Sequence, residues 1–148
     1  MKKFHFKLDA LLRVRKEREN VARQDLSVAR QDLQEHLEYM GKLENEGQAV
    51  EDAMRFNKNA KIDAADLAIH RQYMEVLKVR ISHQQDKVME SKNVVEGKRQ
   101  VVTQAMQERK VIEKLKEKQY AKWRSEVESA EKAFFDEQGT MRYFKDKR

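Results

Sequence analysis

Starting at Leu8, one face of the chain returns at alternating steps of four and three: Leu8, Leu12, Arg15, Glu19, Ala22, Leu26, Ala29, Leu33, His36, Met40, Leu43, Gly47, Val50 and Met54. Most of these are apolar or small, which is the heptad rhythm of a helix pressed along one side against another helix. The rhythm fails across Phe56-Asn57-Lys58-Asn59-Ala60-Lys61-Ile62. It resumes as Leu67, His70, Met74, Leu77, Ile81, Gln84, Val88, Ser91, Val95, Lys98, Val102, Ala105, Arg109 and Ile112. Two asparagines supply turn residues in the gap, and Asp63-Ala64-Ala65-Asp66 offers a helix cap followed by an acid in the first turn.

Folding the chain back at the gap pairs the two series in a single register. Met54 meets Leu67, Leu43 meets Leu77, Met40 meets Ile81, Leu33 meets Val88, Leu26 meets Val95 and Leu8 meets Ile112. Small Gly47 falls opposite large Met74, Ala29 opposite Ser91, and His36 opposite Gln84 in a polar layer that penalises a slipped register. The sequence therefore predicts an all-α fold: two long helices forming an antiparallel coiled-coil hairpin, with the C-terminal helix longer and overhanging. The reading gives one hairpin over residues 1–148, with helix 1 from about 4 to 56, a turn at about 57–63, helix 2 from about 64 to 138 and a basic tail over 139–148. Gly139 reads as the helix stop. At ~1.5 Å per residue the paired shaft would be ~70 Å long and the unpaired stretch a further ~40 Å.

Composition agrees. The 148 residues include no proline and no cysteine, and charged residues equal hydrophobic ones at 39% each. Such a chain has few places to turn and a large solvated surface. Acid-first pairs at i,i+4, among them Asp9 with Arg13 and Glu128 with Lys132, read as helix support. Absence of cysteine removes disulfides, thiolate zinc and a thiol nucleophile. No segment reaches the roughly 18 unbroken apolar residues of a membrane span, and the N-terminus lacks a signal-peptide core, so the expected location is cytoplasmic.

Catalytic, cofactor-binding and metal-binding residues are all read as none. The four histidines make no close ligand cluster, the four glycines are isolated, and a two-helix hairpin lacks a water-excluded cleft. His83, beside Gln84, lies near the His36 layer, where the two could share a metal, but the histidines read first as polar seam residues.

Two other patterns bear on binding. Leu11, Val14, Val21, Val28, Val94, Val101 and Val111 fall on one flank of the hairpin, read first as a core widened toward that side and second as a partner strip. Lys2 to Arg18 and Arg109 to Arg124 each carry seven basic and two acidic residues, and the hairpin brings them to the same end. That basic end admits an acidic socket, a nucleic-acid backbone or an anionic membrane surface. Trp123, Phe134, Phe135, Tyr143 and Phe144 lie on the overhang, out of reach of helix 1. Exposed aromatics there imply a partner. Tyr39, Tyr73 and Val76 flank the seam near the turn as a smaller contact surface.

The opening Phe4-His5-Phe6-Lys7-Leu8-Asp9-Ala10-Leu11-Leu12-Arg13-Val14-Arg15 resembles the start of the FliJ/YscO stalk family of type III secretion, an aromatic followed by leucines and a basic helix. Ile62 to Leu67 and His70-Arg71-Gln72-Tyr73-Met74-Glu75-Val76-Leu77 are similar to that family's re-entry into helix 2, although His70 stands where relatives commonly carry an aromatic. Leu115-Lys116, Trp123-Arg124, Glu131 and Asp136-Glu137 follow its closing pattern.

The resemblance implies a non-enzymatic stalk, similar to the central stalk of rotary ATPases. Its implied partners are the hexameric flagellar export ATPase, the cytoplasmic domain of the export-gate protein FlhA, and export chaperones. It would be cytoplasmic and peripheral at the inner face of the inner membrane, with no nucleic acid. On this reading Arg13, Arg15, Arg18, Lys116, Trp123, Arg124 and Phe134 meet the ATPase ring, while Leu43, Tyr73, Leu77, Arg80 and Gln84 meet the gate. The competing readings are a basic coiled coil that binds nucleic acid or anionic surfaces, and a homodimeric coiled-coil spacer.

Overall fold

The structure, a computed structural model, describes residues 3–57 and 63–147. It contains two helices, α1 (Asp9–Asn57, 49 residues) and α2 (Ala64–Asp146, 83 residues), packed against each other as an antiparallel coiled-coil hairpin with the longer helix C-terminal. Every residue of both heptad series is buried or half-buried, as the register requires. Residues 58–62, on which most of the turn expected at 57–63 falls, lie outside the described residues. Asp63 caps α2 as expected: its Oδ1 accepts from the Ala65 N–H at 3.4 Å and its carbonyl from the Leu67 N–H at 3.3 Å.

Two compact units divide the chain. In the first to be described, residues Asn20–Thr103, the core is the two-helix seam. Leu26, Ala29 and Val95 form its buried cluster, with Leu33 and Val102 packed against it. Leu43 and Leu77 are buried nearer the turn. His36 and Gln84 form the polar layer that the register predicts, the Gln84 Nε2 donating to the His36 carbonyl at 2.8 Å and approaching its Nδ1 at 3.4 Å. Buried Gln84 therefore keeps its amide satisfied, which a slipped register would forfeit.

The other unit combines Met1–Glu19 with Gln104–Arg148. Here both helix ends differ from the sequence reading. Helix α1 starts at Asp9, not near residue 4, and residues 3–8 form a non-helical arm whose Phe6 is only 2% exposed. The arm turns into the helix through the Asp9 N–H, which donates to the Phe6 carbonyl at 3.2 Å. At the other end Gly139 does not stop α2, and the expected tail over 139–148 is helical through Asp146. A glycine ends a helix by adopting positive φ, and no glycine here does so. Without that reversal, one glycine costs a helix only about 1 kcal/mol.

Candidate docking site

In the unit containing the termini, the seam carries charge where a core would carry leucine, and each charge has a partner. Glu19, whose side chain is 7% exposed, accepts from the Arg109 Nε, and Arg109 Nη1 donates to Glu113 at 2.6 Å. These bonds hold the Arg109 guanidinium above its ordinary pKa, Glu19 being the larger cause. Arg15 pairs with Glu108 across the seam. Lys116 Nζ donates to Asp9 Oδ1 at 2.7 Å, a bond that keeps the Asp9 carboxyl below its usual range. Asp9 thus takes a cross-helix lysine as its direct partner, with the i,i+4 arginine expected at Arg13 adding a smaller attraction, while Glu128 pairs with Arg124. Pairing leaves the net charge of this end unchanged but engages Arg15, Arg109 and Lys116 within the protein.

The arm completes this end. Phe4 packs edge-on against Tyr120 at 5.2 Å between ring centroids and tilted against Trp123 at 5.7 Å, while Tyr120 and Trp123 stand 5.6 Å apart. Lys116 Nζ lies over the Phe6 ring at 5.8 Å. Trp123 is therefore half-buried, which corrects its placement on a bare overhang: helix α1 cannot reach it, but the arm does. Of the other residues expected to meet a ring, Arg13 and Arg18 are exposed, Arg15 and Lys116 are engaged as above, and Arg124 is exposed beside Glu128 at 3.0 Å. Phe134 is 57% exposed and touches only its neighbouring ring, Phe135, among the aromatics. Phe135, Met141, Tyr143 and Phe144 are exposed too.

The second candidate surface, in the unit 20–103, is smaller than its sequence list. Leu43, Leu77 and Gln84 are 3%, 1% and 3% exposed, so they build the seam and cannot touch a partner while the hairpin is closed. Tyr73 and Arg80 remain accessible, with the Tyr73 hydroxyl donating to Glu46 on α1. His70 Nδ1 sits 2.7 Å from the Asp66 carbonyl in its own helix. His83 is exposed, and no metal-binding cluster occurs among the described residues.

The valine flank also departs from the first reading. Leu11 is half-buried, but Val14, Val21, Val28, Val94, Val101 and Val111 are all exposed, so the core is not widened toward them. The charged seam residues Arg15, Glu19 and Arg109 are held in place by ion pairs, although the Arg15 Nε is buried without a hydrogen-bond partner. Sequence reasoning missed Phe4, Phe6 and Tyr120 as parts of the site. A signal existed: Lys116, Tyr120, Trp123 and Val127 are themselves spaced four, three and four apart after one extra step of four from Ile112, whereas a phase through Gln119 skips the tyrosine.

Among the described residues no helix is long and apolar enough to cross a membrane. No curated protein and no solved structure matches the chain. The family described as "Flagellar FliJ protein" matches residues 4–148, from the arm's first ring through both helices to the last residue. With the two-helix hairpin and nearly complete coverage in agreement, the chain belongs to the FliJ family and is a component of flagellar protein export.

Proposed function

We propose that this protein is a non-enzymatic stalk that docks its open end into the hexameric flagellar export ATPase, promotes assembly of that ring, and meets the cytoplasmic domain of the export gate FlhA through the turn-proximal surface. It would escort export chaperones from the cytoplasmic face of the inner membrane, to which it is peripheral. One observation carries the reading: α2 continues about two dozen residues past the last contact with the N-terminal arm and presents exposed Phe134, Phe135, Met141, Tyr143 and Phe144. A monomer rarely leaves so much aromatic surface to water without a use for it. Binding energy gained only by the assembled ring would favour that ring by mass action. Arg13, Arg18 and Arg124 supply exposed positive charge, and Trp123 and Phe134 apolar contact. Tyr73 and Arg80 are the accessible part of the proposed gate surface, Leu43, Leu77 and Gln84 being buried.

A chain ending at Glu128 keeps the arm, Tyr120 and Trp123 and removes only uncovered helix. Adding the full protein should raise ATPase assembly and turnover, and the shortened chain should lose most of that increase. An undiminished response would remove the C-terminal helix from the mechanism. Salt titration separates the basic-surface alternative, because phosphate contacts weaken steeply with salt through counterion release whereas aromatic docking does not.

A further inference from the structure

We propose that the N-terminal arm is a latch on the docking site: its tip, Phe4, occupies the Tyr120–Trp123 face of α2 and must leave before a partner can take that face. The inference rests on the ring-docking reading and names the regulation of the same site.

The arm has a fixed root and a loosely held tip. At the root Phe6 is 2% exposed beneath Lys116, its carbonyl accepts from Asp9, and Asp9 is bonded in turn to Lys116. The tip is different. Phe4 is only half-buried, its ring rests on Tyr120 and Trp123, and among the described residues no backbone hydrogen bond holds Phe4 or His5. An edge-on or tilted ring pair is a weak contact compared with a buried phenylalanine anchored by charge. An open groove of about 360 Å³ lies beside the tip, bordered by Lys3, His5, Gln119, Lys122, Trp123 and Glu126, and leaves space on that side of Phe4.

Position makes the contact consequential. Tyr120, Trp123, Val127, Ala130, Phe134 and Met141 follow heptad spacing and share one face of α2. From Ala130 onward that face is exposed, and at Trp123 Phe4 covers it. A partner that follows the face from Met141 toward Lys116 meets the latch at Trp123. The exchange substitutes an apolar side chain of the partner for Phe4, leaving the root in place.

Trp123 is the protein's one tryptophan and the chain has no cysteine, so both states can be read and trapped. Phe4→Ala should shift Trp123 emission to longer wavelength and tighten binding to the flagellar export ATPase about three- to ten-fold, since the partner no longer displaces a ring. Lys3→Cys with Lys122→Cys, two residues bordering the same groove, allows a reducible thiol crosslink that holds the tip down. The crosslinked protein should bind about ten-fold more weakly than wild type, and reductant should restore it.

Unchanged Trp123 emission in Phe4→Ala would overturn the latch. So would equal binding by wild type, Phe4→Ala and the crosslinked protein. Weaker binding by Phe4→Ala with an unaltered melting curve would make Phe4 part of the docking surface itself, which also overturns it. Loss of binding on truncation after Glu128, combined with indifference to both arm variants, sinks the latch alone. Absence of ATPase binding by every form sinks the ring-docking reading and the gate together.

Discussion

Gly47 shows how a residue can fit a pattern without being needed by it. The register places it opposite Met74, small against large, and the position is buried. Yet a Cβ built there meets no atom within 4 Å. With helical φ and open space, alanine loses less backbone freedom on folding and meets no obstacle. Gly47→Ala should therefore stabilise the hairpin by about 0.5–1 kcal/mol, read from a denaturant midpoint with an unchanged slope. A destabilised variant would mean that Met74 packs into the space in solution. The polar seam residues carry the opposite lesson. Glu19, Arg109, His36 and Gln84 look like defects in a heptad list, but each is bonded to a named partner. Their worth is chiefly in specifying register, because any slip would leave buried charge or amide unpaired.

At the scale of the element, the two helices end for different reasons. Helix α1 begins where Asp9 can bond Lys116 and receive the arm, so tertiary contacts set its start. Helix α2 continues to Asp146 because nothing in its last turns breaks it: there is no proline, and Gly139 keeps helical φ. The final stretch is helix without a covering neighbour, and short isolated helices are marginal in water. Backbone amides from about Arg124 to Asp146 should exchange with solvent far faster than those from Leu77 to Val95, which sit on the buried seam. Hydrogen-exchange mass spectrometry checks this. Equal protection of the two stretches would mean that the last turns are covered, most simply by a second copy, and would weaken the case for a free docking surface.

For the molecule as a whole, stability rests on a single seam, since no third helix or sheet packs over the hairpin among the described residues. Leu77, 1% exposed, is one of the two largest fully buried side chains among the described residues, so Leu77→Ala should cost about 2–5 kcal/mol in chemical unfolding. A cost below about 1 kcal/mol would show that the helices close over the gap. Much of this architecture was legible beforehand. A heptad series is local arithmetic: side-chain period and burial are tied together by helix geometry, so the hairpin, its register, the Asp63 cap and the His36–Gln84 layer all followed from spacing. The candidate site was legible only in part. Sequence marked Trp123, Phe134 and the basic residues as notable, but it could not say that Arg15 and Lys116 would be paired, that Leu43, Leu77 and Gln84 would be inaccessible, or that the valine flank would stay in water. Those outcomes depend on which side chains meet across the seam and on a short irregular arm with no period to read. Periodicity determined that the chain doubles back on itself and in what register; tertiary contact alone decided where α1 starts, which charges are paired, and that Phe4 lies on Trp123. The physical reason is that helical phase repeats along the chain, whereas the reach of a lysine, an arginine or a non-helical arm is fixed only when its partner is in place.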